Sequence, residues 1–273
     1  MQLTGPGVFG PPADRDEAVN LLRTAIELGV DHIDTAQYYG PDVVNELIHD
    51  ALWPYPTDLA IVSKVGAKRG ARGEILLYNE PEELLVGIRD NLRTLRVDRL
   101  AAVNLRMPDE TALPDSRFDD QLAAMIDARS EGLIEGIGLS NVSLAQLAHA
   151  LTVTDIVTVQ NSYSLGDRRS DPVLELTTQS GISFAPYLPL GWPGRVRTET
   201  LGDPVVQKIA RRHGRTPAQI ALAWLLGLAP NVLLIAGTSS VPHLRENVEA
   251  GQIELTDDDR ARLADLGRSA PAN

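Results

Sequence analysis

One pattern recurs along the chain and limits its fold more than any other. An amphipathic helix ends at a glycine, and a short apolar strand follows almost at once: EAVNLLRTAIELG runs into VDHIDTA, LAAMIDARSEG into LIEGIGLSN, and VLELTTQSG into ISFAPYLP. The glycine falls where the chain leaves the helix in the left-handed region, which strains a residue with a Cβ. In the first helix Ala18, Leu21, Leu22, Ala25 and Ile26 keep helical spacing, so one face is apolar. Strands are read at HIDTA, LAIVSKV, LAAVNLR, IEGIGLS, IVTVQNS, ISFAPYL and VLLIAGT, with further helices around 42–52, 80–95, 118–131, 144–151, 171–180 and 204–226. Such alternation means parallel strands joined by right-handed crossovers.

Seven strands and a possible short first one at MQL make eight, the count of an α/β fold of the (β/α)8 TIM barrel type. A doubly wound open sheet is the alternative. It calls for G-x-G-x-x-G after the first strand, and GPGVFG is followed here by Pro-Pro rather than a helix. No Ser-, Gly- or Pro-rich linker divides the chain, so residues 1–273 are read as a single domain. MQL offers only a stub, so the seam of the barrel is expected to lack most of its first strand. A late start site or a trimmed chain explains this more simply than an open barrel.

The chain has 273 residues, a formal net charge of −12 and no cysteine. The acidic balance argues against non-specific nucleic-acid binding, while leaving room for a phosphorylated small molecule at a local basic spot. Without cysteine there is no disulfide, thiol nucleophile or thiolate metal site. No apolar run reaches the length of a membrane span, and MQLTGPG lacks the parts of a signal peptide. A soluble cytoplasmic protein is expected.

In a barrel, chemistry sits at the carboxyl ends of the strands, and successive residues of a strand face opposite sides. Asp34 shares a face with His32 and Ala36, Lys64 with Ala60 and Val62, and Arg106 with Ala102 and Asn104. Small and polar residues suit the interior, and branched ones the helix layer. This places Asp34, Lys64 and Arg106 inside, at the mouth, and the same rule adds Ser140, Asn141 and Gln160. Taken singly, each has an ordinary reading as a cap, an ion-pair partner or a turn former; their joint position on successive strand ends sets them apart. Tyr39 follows Asp34 in DTAQYYG. A phenol has a reference pKa of about 10, which a nearby Lys64 ammonium would lower, and Asp34 would hold that ammonium charged and oriented. The trio suits a carbonyl that gains negative charge on oxygen.

DTAQYYG, then VSK, GLSN, VTVQNSY and LIAGTSSVPHLREN, in this order and over nearly the whole chain, closely resemble the aldo-keto reductases. The resemblance implies a (β/α)8 barrel that reduces carbonyls with a nicotinamide cofactor and no metal. It makes Tyr39 the general acid and Asp34 and Lys64 its supporting pair. Ser140, Asn141 and Gln160 would hold the nicotinamide carboxamide, Tyr187 would stack on its ring, and Leu190 would lie along the pyrophosphate. The family's usual L-H-x-P-D reads L-R-M-P-D here, so Arg106 stands at the histidine position. An arginine cannot supply a proton at working pH, but it donates hydrogen bonds to a carbonyl oxygen or an anion. The other reading of Arg106 is a salt bridge to Asp109 or Asp115 outside the pocket.

The opening GPGVFGPP, the NLR stretch and the AGTSS ending are most similar to bacterial pyridoxal reductases, which implies reduction of pyridoxal to pyridoxine with NADPH. Phe9, Tyr38 and Trp192 would then stack on the pyridine ring, unless they are ordinary loop packing. Gly237, Thr238, Ser239 and Ser240 precede a helix expected near Pro242, and with His243, Glu246 and Asn247 they form the expected site for the adenosine end of NADPH/NADP+. Gly237 and His243 stand where many members have Lys and Arg. The resemblance also implies a hairpin and a full first strand ahead of the point where this chain starts. A nucleotide-binding barrel with little turnover, acting as a redox-sensing or regulatory subunit, is therefore carried as a second reading. The expected partner is a small carbonyl compound, from pyridoxal to other small aromatic aldehydes or ketones. A monomer is the family's usual form, although octamers occur. The stretch VGAKRGARGEILLYNEPEE, with Lys68, Arg69 and Arg72, is read as a solvated surface loop, with a cover over the site as the alternative.

Overall fold

The structure, a computed structural model, describes residues 2–268. Met1, the first residue of the expected MQL strand, lies outside them. Contacts gather in two compact units: one runs up to Val159 and includes Gly237–Val241, and the other comprises Gln160–Ala236 and the chain from Pro242.

In the first unit, α1 (Arg15–Glu27) begins at Asp14, whose carboxylate accepts a hydrogen bond from the Glu17 amide at 2.9 Å. There follow β1 (His32–Asp34), α2 (Val43–Leu52), β2 (Ala60–Arg69), β3 (Ile75–Tyr78), α3 (Pro81–Leu95), β4 (Leu100–Arg106), α4 (Ser116–Ser130), β5 (Ile134–Ser140), α5 (Leu144–Val153) and β6 (Thr158–Gln160), where the second unit begins. Strands β1, β2, β4 and β5 lie side by side in that order, all parallel. Their register pairs Asp34 with Val62, Lys64 with Asn104, and Arg106 with Ser140.

That register sorts the side chains by face. One face carries Val62, Lys64, Ala102, Asn104, Arg106, Gly136, Gly138 and Ser140, small or polar as expected of an interior. The other carries Ile61, Val65, Val103, Leu105, Ile137 and Leu139, and these are buried with Leu84, Ile88 and Leu95 of α3 and Phe118, Leu122 and Met125 of α4. Each such side chain contributes about 1.5–3 kcal/mol on burial, so this layer holds the strands in place.

The stretch read as a solvated loop is instead a hairpin. β3 pairs antiparallel with the far end of β2, Gly66 opposite Tyr78 and Arg69 opposite Ile75. Ile75, Leu76 and Leu77 stay exposed, and a short apolar run without alternation does not tell an exposed strand from a buried segment.

The second unit holds α6 (Asp171–Gln179), β7 (Ser183–Phe184), α7 (Arg195–Gly202), α8 (Pro204–His213), α9 (Pro217–Leu226), α10 (Val241–Glu249), which starts at the end of the first unit, and α11 (Asp257–Arg268). The single helix expected over 204–226 is two. Gly214, with φ of +60°, ends α8, and Thr216 opens α9 through a reciprocal pair of bonds with Gln219, with Pro217 in the first turn. Asp259, fully buried, joins α11 to α8 by accepting from His213 Nε2 at 3.0 Å and pairing with Arg212.

Two expected strands are absent among the described residues. Gln2 and Leu3 lie in a turn, and the first regular element is a 3₁₀ turn over Pro6–Val8. VLLIAGT forms only a parallel bridge at Val232 with Phe184. An apolar run becomes a strand only where a partner supplies a ladder to offset the entropy of fixing its backbone, and Phe184 serves just the start of this one.

Gly66 marks the point where β2 leaves β4 for the hairpin. Its φ is +105°, and a Cβ there would stand 2.5 Å from the Arg106 carbonyl oxygen. Gly66→Ala is expected to cost about 1–3 kcal/mol, read as a lower unfolding midpoint in urea; an unshifted midpoint would refute this account of the junction.

Candidate active site

Asp34 ends β1 and Lys64 lies on the adjacent strand β2, two residues past the partner of Asp34. Lys64 Nζ donates to both carboxylate oxygens of Asp34, at 3.0 and 3.2 Å, and the two side chains are only 5% and 11% exposed. A buried charge persists only when it is paired and hydrogen-bonded, and this pair satisfies both conditions.

Behind it, on the opposite face of the same strands, lies a buried polar network that the sequence reading missed. Thr35, next to Asp34, donates to Asn45 Oδ1 at 2.7 Å, and Ser63, next to Lys64, donates to Asn91 Oδ1 at 2.5 Å. Asn45 Nδ2 closes the circuit by donating to Asn91 Oδ1 at 3.0 Å and Thr94 Oγ1 at 2.9 Å. All five residues are buried. The signal was present: Asn91 falls on the apolar stripe of α3 with Leu84, Ile88 and Leu95, where an amide needs a partner. The network ties β1 and β2 to α2 and α3, and so fixes the strand ends that carry Asp34 and Lys64.

Tyr39 sits in a tight turn. Its amide donates to the Ala36 carbonyl at 3.0 Å, Asp42 N donates to Gln37 O at 2.7 Å, and Gly40 O accepts from Gly10 N at 2.8 Å. Gly40 has φ of +107°, and a Cβ would collide with Val43. The Tyr39 ring is buried, with Lys64 Nζ 5.9 Å from its centroid. The expectation that Lys64 lowers the pKa of Tyr39 is not met. Burial, first, and Asp34 push it well above the usual phenol value, and Arg106 and Arg69 oppose them. Lys64 lies over the ring and is bound to Asp34, so its charge is largely compensated there. Tyr38, edge-on to Tyr39 with centroids 5.2 Å apart, is also buried and its pKa is likewise raised, chiefly by burial.

Arg106 is half-buried on the interior face, in register with Ser140. The alternative reading, a salt bridge to Asp109 or Asp115, does not hold among the described residues. Asp109 accepts from the amide and hydroxyl of Thr111, and Asp115 caps α4 at the Phe118 amide. Arg69, read in the sequence only as part of a basic, glycine-rich loop, donates to the Tyr38 carbonyl at 3.3 Å and to the Gly73 carbonyl at 2.7 Å. The hairpin is thereby clasped to the Tyr39 turn. Phe9 lies over Gly73, close enough that a Cβ there would come within 3.1 Å of its ring; it packs on the hairpin.

Of the remaining first-unit positions, Ser140 is buried, and Asn141, at φ of +63°, donates to the Met107 carbonyl at 3.1 Å. Thr238 Oγ1 accepts from Ser240 N at 3.1 Å, and the run 237–240, which includes Gly237 and Ser239, leads directly into α10. In the second unit Gln160 is buried, Tyr187 N donates to Asn161 O at 3.0 Å, and Leu190 lies within a turn closed by Gly191 N donating to Leu188 O at 2.7 Å. Trp192 is 63% exposed. On α10, His243 is exposed, Glu246 O accepts from Gln219 Nε2 at 3.1 Å, and Asn247 Nδ2 donates to Ala236 O at 3.0 Å.

Parallel strands alternating with helices, with a buried Asp–Lys pair beside a buried tyrosine at the strand ends, define a barrel-type carbonyl oxidoreductase. The chain belongs to the aldo/keto reductase family, whose model matches residues 1–268. It is 44% identical over 270 residues to pyridoxine 4-dehydrogenase of Escherichia coli K12, covering 98% of this chain and 93% of that protein. Among solved structures, a thermostable aldo-keto reductase in complex with the inhibitor epalrestat is 33% identical with a TM-score of 0.79, over 94% of this chain and 90% of that one. An aldo-keto reductase from Klebsiella pneumoniae in complex with NADPH is 25% identical with a TM-score of 0.82, over 99% and 90%. The fold is the (β/α)8 type expected from the strand count.

The Asn network yields a direct expectation. Asn91→Leu leaves the Asn45 amide and the Ser63 hydroxyl short of a buried partner, at about 1–3 kcal/mol for each unsatisfied group. Urea unfolding should show a loss in that range, and a loss below about 0.5 kcal/mol, the scatter of ordinary surface changes, would mean the network is not structural.

Proposed function

We propose that this protein reduces an aldehyde to an alcohol with NADPH, and that pyridoxal, reduced to pyridoxine, is its substrate. The observation that carries the reading is the buried Asp34–Lys64 pair beside a tyrosine that burial keeps protonated. The relative from Escherichia coli K12 is named for the oxidation of pyridoxine, the same reaction in the opposite direction. That the family model spans both compact units supports treating the chain as one domain.

The donor set fits a nicotinamide dinucleotide. The buried hydroxyl of Ser140 and the buried amide of Gln160 suit a carboxamide, together with Asn141. The hydroxyls of Thr238, Ser239 and Ser240, next to the first amides of α10, suit a phosphate, and His243, Glu246 and Asn247 stand on that helix. Tyr187 would stack on the nicotinamide, and Leu190 would lie along the pyrophosphate. When bound, NADPH supplies the hydride that the carbonyl carbon accepts. Tyr39 then donates its phenolic proton to the carbonyl oxygen, and Arg106 donates hydrogen bonds to the same oxygen as its negative charge grows. Asp34 keeps Lys64 in place beside the Tyr39 ring, and the positive charges of Arg106 and Arg69 favour the phenolate left behind. A phenol with a raised pKa is protonated throughout the neutral range, as reduction requires; oxidation of the alcohol would need the phenolate.

Tyr39→Phe should lower kcat by about 10²–10⁴-fold in a steady-state assay run with NADPH and NADH in parallel, with NADPH preferred. If wild type and variant are equally slow, the nucleotide-binding reading with little turnover replaces this one. The ring hydroxyl of pyridoxal lies beside its aldehyde, within reach of a forked guanidinium. Arg106→Met should therefore raise KM for pyridoxal more than for benzaldehyde, and equal effects on the two would remove the proposed contact.

A further inference from the structure

Charges around the Tyr39 turn do not cancel. Lys64 is matched by Asp34. Arg69 spends its bonds on the neutral carbonyls of Tyr38 and Gly73. Arg106 faces the interior side of β4, and Asp109 and Asp115, farther along the chain, are bonded elsewhere. The carboxylates flanking Arg69 are likewise committed: Glu74 accepts from the Arg72 amide, and Asp42 accepts from Gln37 and pairs with Arg93. Among the described residues, two guanidinium charges thus stand by the catalytic turn without a carboxylate partner, in a chain whose formal net charge is −12.

Neither arginine is loosely held. Arg69 is fixed through two carbonyls, one of them on the residue preceding Tyr39. The Arg106 backbone lies against Gly66, at the root of the hairpin that carries Arg69. Both charges are felt at the Tyr39 hydroxyl, where they oppose the effect of burial. A protein holds uncompensated guanidinium groups beside a reacting centre at a cost in stability, and an anionic ligand offsets that cost.

We propose that Arg69 and Arg106 form a paired cationic site that selects carbonyl substrates carrying an anionic oxygen group in addition to the carbonyl. Arg106 serves the oxygen beside the carbonyl, and Arg69 takes a second anionic group farther out. This deepens the aldehyde-reductase reading and rests on it. It sets the substrate class as an anionic aldehyde, with a phenolate, a carboxylate or a phosphate ester as the charged group.

The test compares kcat/KM for benzaldehyde with 4-carboxybenzaldehyde, and for pyridoxal with its 5′-phosphate, in wild type, Arg69→Gln, Arg69→Lys and Arg72→Gln. Wild type should favour the anionic member of at least one pair by about tenfold, the worth of one modest charge-assisted hydrogen bond. Added salt should erode that preference. Arg69→Gln should bring the ratio close to one through KM, Arg69→Lys should restore part of it, and Arg72→Gln, on the exposed tip, should leave it as in wild type. The pair that responds tells a carboxylate site from a phosphate site. Calorimetric binding of benzoate against benzamide, with the same variants and with NADPH present, reads the site without turnover. If no aldehyde is reduced but benzoate binds through Arg69, the reductase reading fails and the anion site stands. A ratio near one in wild type, or an unchanged ratio and benzoate affinity in a folded Arg69→Gln, overturns the proposal.

Discussion

The ion pair between Lys64 and Asp34 depends on strand register, and most of what surrounds it serves to hold that register. A one-residue slip of β2 against β1 would carry Lys64 to the helix-facing side and replace it with Ser63 or Val65. Two buried layers oppose such a slip. On the helix side, Thr35 and Ser63 are locked into the amide network of Asn45 and Asn91, which forms only when both strands are in place. Around them, branched residues of β2, β4 and β5 fill the space under α3 and α4. Hydrophobic burial supplies the bulk of the stabilisation, and the polar network supplies the selectivity among registers that burial alone lacks.

The interior face of the sheet was readable because a strand repeats every two residues. Alternation alone put Lys64, Asn104 and Arg106 on one side and Val103 and Leu105 on the other, as the ladders show. What escaped the reading lacked such a period. β3 is apolar at three successive exposed positions, and nothing in a single sequence tells this from a buried run. The bond from Arg69 escaped for a related reason: a guanidinium in a basic, glycine-rich stretch looks solvated until the hairpin turns it onto the Tyr38 carbonyl. The break between α8 and α9 was within reach, since Gly214 followed by Thr216, Pro217 and Gln219 is a stop and a start written in succession. The run at 232–238 was over-read, because apolar composition does not reveal whether a partner strand is at hand.

Acidity of Tyr39 is where the sequence argument and the structure part most clearly. Proximity of opposite charge lowers a phenol pKa only if that charge is not already spent. Asp34 takes two bonds from Lys64, so the ammonium has little left for the hydroxyl, and Asp34 itself opposes ionisation. Desolvation then dominates. The guanidinium groups of Arg69 and Arg106 are the charges that push the other way, and neither belongs to the trio that residue types alone had suggested.

In the proposed reaction this division of labour bears on the arginine at the family's histidine position. A histidine can both orient a carbonyl and share in proton transfer, whereas an arginine holds its protons at any working pH. With Arg106 in place, proton delivery falls to Tyr39 alone, and the site must meet two opposed demands on that residue. The phenol has to be protonated before the reaction, and the charge on the oxygen it serves has to be stabilised during it. Burial answers the first demand without any specific partner. Fixed positive charge answers the second, because it acts most strongly where negative charge develops in a site with little water. A guanidinium that keeps its proton is suited to that task in a way a titrating imidazole is not, since its charge does not change with the pH at which the enzyme works.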